Sequence, residues 1–428
     1  MNVIPFHGRN RRERSVSVGR QGLWAVLDVG SSKIVCFIAR RGGNGGLEVV
    51  GIGHQISRGI RHGAVVDMEA AEQAIRVTVD AAERMAGAEV RDVILSLSCG
   101  QPQISRLAME MPIAGHEVDD EDRDEALRQA RIRSSSPDRF VLHAIPTSFS
   151  VDGINGVRDP RGMIGQKLGV NVNVFSIPTA PVRNLAACVE RCHLGIAAAV
   201  LAPYASGLSA LVEDERDLGV TCIDMGGGTT SVSVFRDGHM IFADVIGIGG
   251  RHVTSDIARG LSTTLGNAER LKTLHGSALA GPSDERELLD VPLMGEDEDV
   301  THQVPRSMLT GIIQPRLEET FELVRRRLNE AGVSQIGGRR VVLTGGASQL
   351  NGARELAARL LGKQVRLGRP LPISGLAEAT AGPAFAAAAG LLRYPQMRPA
   401  ELIASEKESQ VGSGGPILRI GRWFKENF

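Results

Sequence analysis

A short pattern, an aspartate followed by small residues, occurs twice in the chain, each time at the end of an apolar run. The first copy reads LDVGSSKIVCFIA and the second reads IDMGGGTTSVSVFRDG. Aligning them pairs Asp28 with Asp224 and Gly30 with Gly226. Each copy predicts a strand, a tight turn and a second strand, which taken singly is also the pattern of an ordinary β-hairpin. Its recurrence in a distant part of the chain favours two related halves.

The residue types in these turns suit a metal-bound polyphosphate. Small residues let backbone N–H groups approach an anion closely. An aspartate repels a phosphate unless a cation lies between them, so we expect Asp28 and Asp224 to face Mg²⁺ through its water ligands. Two such turns could close on one Mg²⁺–polyphosphate from opposite sides. The candidate phosphate-binding residues are Gly30, Ser31, Ser32 and Lys33 in the first turn, and Gly226, Gly227, Gly228, Thr229 and Thr230 in the second.

Three further motifs could complete such a site. The stretch GIGG precedes a predicted helix, whose N-terminus could approach phosphate or ribose. The stretch TGGAS ends a buried strand on bare backbone, where a flat base could lie. In NAERLK a glutamate and a lysine share one helical face, as ligands of ribose and adenine or as a plain surface ion pair. These candidates are Gly249, Gly250, Glu269, Lys272, Gly345, Gly346 and Ala347.

The overall composition is that of a globular protein without a strong net electric field. The chain of 428 residues has 49 basic and 49 acidic side chains, so its formal net charge is zero. A neutral chain has no global attraction to nucleic acid, and we expect no nucleic-acid partner. The five cysteines are odd in number and lie in apolar surroundings, which is typical of reduced thiols in the cytosol. Residues 1–20 are polar and basic and lack the apolar core of a secretory signal.

The order of these motifs resembles that of the actin-like ATPase superfamily, and within it the FtsA family of bacterial cell-division proteins. Besides the turns, the resemblance rests on GIRHGAVVDMEAAEQAI (59–75), on GVRDPRGMIGQKLGV (156–170), on VVLTGGASQLNG (341–352) and on the amphipathic C-terminus. It covers about residues 22–428. The stretch at 156–170 and the terminal helix are the specific features, since the phosphate turns alone would indicate only the superfamily.

The resemblance implies an α/β actin-like ATPase fold, with two duplicated lobes around a cleft for ATP and Mg²⁺. Each lobe would contain a βββαβα sheet. The family lacks one subdomain of actin and carries another, subdomain IC, inserted elsewhere, which fits an α+β segment at 100–180. The implied organisation is a disordered basic tail at 1–20, subdomain IA at 21–99 and 181–218, subdomain IC at 100–180, subdomain IIA at 219–257 and 339–395, subdomain IIB at 258–338, a flexible linker at 396–415 and an amphipathic helix at 416–428.

The same resemblance implies an adaptor of cell division more than an enzyme. The family tethers FtsZ filaments to the cytoplasmic face of the inner membrane, recruits later divisome proteins, here through subdomain IC, and polymerises head to tail. The C-terminal peptide of FtsZ docks on subdomain IIB, where Arg316 in the matching PRLEE is the candidate contact. Ala202–Pro203 stands where related chaperones have Glu-Pro. The glutamate of that pair helps to position the attacking water, and general-base assistance of this kind raises the rate by ~10²–10⁴-fold. Because this glutamate is absent here, we expect slow ATP hydrolysis at most. Asp224 is the only candidate for a catalytic role.

The last residues, PILRIGRWFKENF, have the pattern of a helix that lies in a membrane surface. At about 100° per residue an apolar face with Trp and Phe opposes a basic face, with Leu418 as the exception. The segment is too short to span a bilayer, and docking on the protein itself or on a partner is the alternative. The candidate membrane-binding residues are Ile417, Ile420, Trp423, Phe424 and Phe428 on the apolar face and Arg419, Arg422 and Lys425 on the other.

Two other classes of actin-like protein stay open at this point. An ATP-dependent sugar kinase would need an aspartate base near a sugar pocket and would not need the terminal helix. A chaperone-like ATPase would need a substrate-binding domain, and too few residues follow Pro395 to form one.

Overall fold

The computed structural model describes residues 22–43, 46–296 and 300–397. The predictions for the tail at 1–20 and the helix at 416–428 lie outside these residues, as does most of the linker at 396–415. The elements of the first half are β1 (Leu23–Val29), β2 (Lys33–Arg41), β3 (Leu47–Ile56), β4 (Ile60–Arg61), β5 (Ala64–Val65), α1 (Met68–Ala86), β6 (Asp92–Leu97), β7 (Gln103–Pro112), α2 (Asp120–Arg133), β8 (Arg139–Val151), β9 (Ile154–Val157), β10 (Lys167–Pro178), α3 (Thr179–Arg191), β11 (Gly195–Leu201) and α4 (Ala202–Ala210). Those of the second half are α5 (Glu213–Leu218), β12 (Val220–Met225), β13 (Thr230–Arg236), β14 (His239–Ile246), α6 (Gly250–Gly260), α7 (Leu265–His275), β15 (Leu288–Pro292), β16 (Thr301–Pro305), α8 (Arg306–Glu330), β17 (Arg340–Thr344), α9 (Ala353–Leu361), β18 (Gln364–Leu367) and α10 (Ala386–Arg393).

The first lobe is built on a five-stranded sheet in the order β11-β6-β1-β2-β3. Its central strand β1 pairs antiparallel with β2 and parallel with β6. Strand β2 is buried continuously from Ile34 to Ala39, as expected for a strand covered on both faces. Helix α1 begins after Asp67, whose side chain accepts the amide of Ala70, and it ends at Gly87 with φ of 66°. The stretch MEAAEQAIRVTVDAAERMA thus forms one helix with a cap at each end.

The second lobe repeats this plan with the strand order β14-β13-β12-β17-β18. Its central strand β12 is antiparallel to β13 and parallel to β17. Each sheet thus contains three antiparallel strands followed by two parallel ones. Both sheets have a fifth strand, β11 or β18, which the βββαβα order given by the resemblance omits. The reason is that the chain makes one more parallel crossover in each lobe, through α3 to β11 and through α9 to β18.

An insert between β6 and α3 forms its own small layer. Strands β7, β10, β8 and β9 make an antiparallel sheet in that order, with α2 packed on it around a separate apolar core. The acidic run DDEDRDE begins α2, where the Asp119 side chain accepts the amides of Glu121 and Asp122. The insert is therefore an α+β unit.

Two helices connect the lobes at the base of the cleft. Helices α4 and α10 cross so closely that a Cβ built on Gly390 would lie 1.7 Å from the carbonyl oxygen of Ala205. Every residue of α4 is buried. Helix α4 also contacts β12 and β13 of the second sheet, where the hydroxyl of Ser233 donates to the carbonyl of Pro203 over 2.9 Å.

The described helices are short or polar. Among residues 22–43, 46–296 and 300–397, no helix combines the length and the apolar content that crossing a bilayer requires.

Candidate functional site

The two aspartate turns have the same backbone geometry. In the first, the amide of Gly30 donates to the carbonyl of Lys33 over 3.0 Å, and in the second the amide of Gly226 donates to the carbonyl of Thr229 over 2.9 Å. One turn closes the β1–β2 hairpin and the other closes the β12–β13 hairpin. The alignment of the two sequence stretches therefore corresponds to a structural equivalence between the lobes.

The two turns also lie against each other across the cleft. A Cβ built on Gly227 would lie 1.7 Å from the Oγ of Ser32, and one built on Gly228 would lie 2.5 Å from the Oγ of Ser31. Real Cβ atoms do not approach so closely, so the bare backbone of the second turn leaves room for the serines of the first. The structure thus brings together the phosphate-binding candidates of both lobes.

Hydrogen bonds between the lobes hold this contact. The Nη1 of Arg251 donates to the carbonyl of Ser31 over 2.9 Å. The Nδ1 of His62 donates to the carbonyl of Gly228 over 3.1 Å. Within the first lobe, the Oγ of Ser31 also accepts the amide of Gly63 over 3.0 Å, which fixes this serine at the contact. Sequence reasoning did not select His62 or Arg251, and the only available signal was their position beside glycines in RHG and GGRH.

The two aspartates lie at the base of the turns, with protein atoms packed around their carboxylates. The hydroxyl of Ser96 donates to Asp28 over 2.5 Å, and the hydroxyl of Ser206 donates to Asp224. Burial raises the pKa of Asp28, against the opposing effects of Ser96 and Lys33. Burial also raises the pKa of Asp224 to about 6, where the charge of Asp28 adds to the shift and Ser206 opposes it. Two carboxylates from separate lobes therefore share one environment that favours a cation.

Lys33 lies within electrostatic reach of both carboxylates. Burial lowers the pKa of Lys33 to about 8, while the charges of Asp28 and Asp224 act in the opposite direction. Its Nζ lies 3.5 Å from the centroid of the Phe385 ring. The first turn therefore contributes a cation to the cleft, and the second turn does not.

The GIGG stretch supports the second turn from behind. The amide of Gly250 donates to the carbonyl of Gly226 over 2.9 Å, and the amide of Arg251 donates to the carbonyl of Gly227 over 2.8 Å. A Cβ on Gly249 would lie 2.6 Å from the carbonyl oxygen of Gly226. In this structure these amides hold the turn in place, which is a different contribution from the ligand contact that the sequence predicts.

The TGGAS stretch also contacts the second aspartate turn. Gly345 has φ of 86°, and a Cβ there would lie 2.2 Å from the Oδ1 of Asp224 and 2.5 Å from the carbonyl oxygen of Met225. A Cβ built on Gly250 would lie 3.1 Å from the Cβ of Ala347, so the GIGG and TGGAS stretches meet. Bare backbone is required here both by the left-handed conformation and by the close approach.

Glu269 and Lys272 form an ion pair at the same edge. The Nζ of Lys272 lies 2.7 Å from the Oε2 of Glu269 and also donates to the Oγ1 of Thr254 and the carbonyl of Gly250. Burial alone would raise the pKa of Glu269, but its hydrogen bonds with Lys272 and Thr254 outweigh burial and lower it. The Lys272 side chain is only 14% exposed, so the pair links α7 to the GIGG turn instead of standing free on the surface.

Arg316 lies away from the cleft, on α8. Its guanidinium binds the carboxylate of Asp256 through Nε and Nη2 and also contacts Glu319. These partners raise the pKa of Arg316 further above its ordinary value. The side chain keeps 27% exposure, so it presents a fixed cation at the surface beside α6.

The donor set at the cleft suits a hard, largely hydrated cation. Within the described ranges, no three His, Cys, Asp or Glu side chains come together as a metal centre. The two carboxylates of Asp28 and Asp224 are instead the ligand set that Mg²⁺ uses when it keeps most of its waters and binds a phosphate.

Comparison with known proteins identifies the family. The family model for the cell division protein FtsA matches residues 221–390, and the model for the SHS2 domain inserted in FTSA matches residues 100–176. The cell division protein FtsA of Rhizobium meliloti (strain 1021) is 46% identical over 422 residues, covering 96% of each chain. That of Escherichia coli (strain K12) is 32% identical over 410 residues, covering 94% of this chain and 97% of the relative. The chain belongs to the FtsA family.

Solved structures confirm the fold expected for the FtsA family. A chain of the PilM-PilN type IV pilus biogenesis complex aligns with a TM-score of 0.62 at 19% identity, covering 87% of this chain and 98% of that one. MreB5 of Spiroplasma citri bound to ADP aligns with a TM-score of 0.53 at 12% identity, covering 90% and 98%. The fold is therefore that of the actin-like ATPases, with the α+β insert that characterises FtsA.

Proposed function

We propose that this member of the FtsA family binds Mg²⁺–ATP between its lobes and links FtsZ filaments to the cytoplasmic face of the inner membrane at the division site. The observation that carries the nucleotide part is the meeting of the two aspartate turns, where Asp28 and Asp224 act electrostatically on one lysine, Lys33. Solved MreB5 structures of the same fold are bound to ADP and to AMPPNP, which supports a nucleotide in this cleft.

Different groups of residues would contact the metal, the phosphates, the base and the ribose of the nucleotide. Asp28 and Asp224 would hold Mg²⁺ through its water ligands, and the ion would neutralise part of the polyphosphate charge. The small residues of the two turns bind the phosphates with amides and hydroxyls. The Gly345–Ala347 backbone carries the base, and Glu269 with Lys272 contacts the ribose or the adenine edge. The subdomain bounds are those that the sequence indicates.

Slow hydrolysis follows from the beginning of α4. Ala202 occupies the position where a general base would orient the attacking water, and a methyl group cannot accept a proton. The nearby hydroxyl of Ser206 is already committed to Asp224. We expect nucleotide binding with turnover well below that of chaperone ATPases, and an ATPase rate equal to theirs would contradict this assignment.

Attachment to the membrane depends on residues 416–428. Apolar side chains including Trp423 and Phe424 enter the headgroup region, and the basic residues opposite them contact anionic lipid. Because the helix is short, it folds on the lipid surface. Between this helix and α10, the Gly- and Ser-containing linker at 396–415 lets the folded body turn toward its filament partner.

Subdomain IIB is the proposed docking surface for the FtsZ C-terminal peptide, with Arg316 as one contact. Its guanidinium is held by Asp256, so it is preorganised and loses little side-chain entropy on binding. The insert is the proposed surface for later divisome proteins, and head-to-tail contacts between copies form the polymer.

The proposed function is tested with the full chain, anionic liposomes, Mg²⁺–ATP and a labelled FtsZ C-terminal peptide. The wild type should bind the nucleotide, sediment with the liposomes and bring the peptide with it. Trp423→Glu should release protein and peptide to the supernatant without changing nucleotide affinity, and Glu426→Gln on the polar face is the matched control. Sedimentation of the Trp423→Glu variant at the wild-type level would contradict the membrane assignment, and failure to bind ATP would contradict the nucleotide assignment.

A further inference from the structure

The Lys33 ammonium lies on the face of an aromatic ring that neither turn supplies. Its Nζ lies 3.5 Å from the centroid of Phe385, well within the range of a cation–π interaction. Lys33 begins β2 directly after the first turn, and Phe385 directly precedes α10. Among the described residues, no carboxylate lies within ion-pair distance of this ammonium, although Asp28 and Asp224 act on it at longer range. The ring of Phe385 is therefore in direct contact with the cation.

The Phe385 ring is held in place by the first lobe. It stacks on Phe37 at 6.2 Å between ring centroids, and the His54 ring meets its edge at 5.9 Å. The residue is 9% exposed, so the ring has little freedom to leave this position. Phe37 and His54 lie on β2 and β3, the two strands that follow the first turn.

The backbone next to Phe385 is tied to the second lobe. The amide of Gly345 donates to the carbonyl of Pro383 over 3.1 Å. Gly345 is also the glycine packed against Asp224. One short segment thus connects the cation of the first turn with the backbone that supports the second turn.

We propose that Phe385 is a positioning residue, which holds the Lys33 ammonium extended in the cleft where it meets the phosphates of a bound nucleotide. This inference rests on the proposed nucleotide site. A lysine side chain has many rotamers, and fixing one of them before binding reduces the entropy that phosphate contact must overcome. An aromatic face can do this without neutralising the charge, which a carboxylate partner at the same place would do.

The test is a binding cycle with Mg²⁺–ATP on the full chain. Phe385→Leu keeps an apolar side chain but removes the aromatic face, and we expect a roughly fivefold loss of affinity, which corresponds to about 1 kcal/mol. Phe385→Tyr keeps the face and should bind within twofold of the wild type. His54→Ala, which removes the edge contact but not the Lys33 contact, is the matched control and should also stay within twofold.

The dependence on Lys33 separates positioning from packing. In a Lys33→Met background the ring has no cation to hold, so Phe385→Leu should cause no further loss of ATP affinity. A fivefold loss that persists without Lys33, or a loss in Phe385→Tyr equal to that in Phe385→Leu, would overturn the inference while leaving the nucleotide site intact. If the wild type itself fails to bind Mg²⁺–ATP, the proposed function fails first. Thermal unfolding of each variant shows whether the fold is retained.

Discussion

The first and second aspartate turns have the same backbone geometry but differ in most of their side chains. Both carry the same hydrogen bond from the glycine amide, to Lys33 in one and to Thr229 in the other. Ser31 and Ser32 of the first turn align with the bare Gly227 and Gly228 of the second, and the cation Lys33 aligns with Thr229. Because the serines of one turn occupy the space left by the glycines of the other, the difference makes the two lobes complementary. Two identical turns would either collide or leave a gap.

The hydrogen-bond donors to the two aspartate carboxylates also differ between the lobes. In the first lobe, Leu27 pairs with Leu95, which places Ser96 beside Asp28, and its hydroxyl donates to the carboxylate. In the second lobe Asp224 pairs with Thr344 at the equivalent place. The Thr344 hydroxyl donates to the carbonyl of Gly368 instead.

A residue of a connecting helix replaces the missing donor. The hydroxyl of Ser206 on α4 donates to Asp224, and a glycine follows Thr344, so that the strand end can pack against the carboxylate. The first aspartate is thus supported from within its own sheet. The second is supported by a helix that joins the lobes, so a movement of α4 acts directly on Asp224.

The largest effect we expect concerns the ionisation of Asp224 in metal-free protein. Its pKa of about 6 lies above the ordinary value of 3.8, so the folded state binds a proton more tightly than the unfolded state does. The stability that this contributes is complete below about pH 4 and is lost as pH rises through about 6, which amounts to roughly 3 kcal/mol at most. Asp224→Asn removes this titration. Between pH 4 and 7 the variant should therefore lose less unfolding free energy than the wild type, as measured by urea denaturation in EDTA.

Two further variants give this measurement its controls. Asp28→Asn should act in the same direction, because burial raises the pKa of Asp28 as well. Glu355→Gln should act in the opposite direction, because a hydrogen bond from Arg354 lowers the pKa of that exposed carboxylate. If the unfolding free energies of the wild type and of Asp224→Asn changed in parallel with pH, the carboxylate of Asp224 would not be buried as described.

The next effect concerns Gly345, the glycine that packs against Asp224 and Met225 behind the second turn. Gly345→Ala places a methyl group within 2.5 Å of the Met225 carbonyl oxygen at a φ of 86°. Gly362→Ala has a φ of 63° with nothing within 4 Å, so it loses only the roughly 1–2 kcal/mol of a left-handed alanine. We expect Gly345→Ala to lose about 2 kcal/mol more unfolding free energy than Gly362→Ala in chemical denaturation. Equal losses would mean that the second turn tolerates a side chain behind it.

The smallest of these effects tests the complementarity of the turns themselves. Gly227→Ala drives a methyl group into the Oγ of Ser32 and should weaken Mg²⁺–ATP binding about tenfold by forcing the turns apart. Adding Ser32→Gly should recover most of the affinity, with a coupling energy of about 1 kcal/mol in the double-mutant cycle. Ser32→Gly alone provides the reference for the lost hydroxyl. If the second substitution gives no recovery, the two turns do not interlock as the structure indicates.

The local geometry of the two turns could be predicted from the sequence, whereas the contacts between the lobes could not. Asp28, Asp224 and their glycines could be paired because each turn is a continuous stretch with its own signature. The hydrogen bonds of His62 and Arg251 join residues far apart in sequence, and isolated polar residues carry no periodicity that would reveal such partners. The same is true of Ser206, one of two serines in the buried helix α4. The βββαβα order taken from the resemblance ends one strand too early in each lobe, so it omits β11 and β18.

The central claim is that the two carboxylates act on one metal-bound nucleotide. It is tested most directly by calorimetric titration of Mg²⁺–ATP into the wild type, Asp28→Asn, Asp224→Asn and the double variant. Each single substitution should lower the affinity by at least about tenfold, and the double variant should lose clearly less than the product of the two, because either change already disrupts the shared metal. Single substitutions without effect, or losses that multiply fully, would contradict the account.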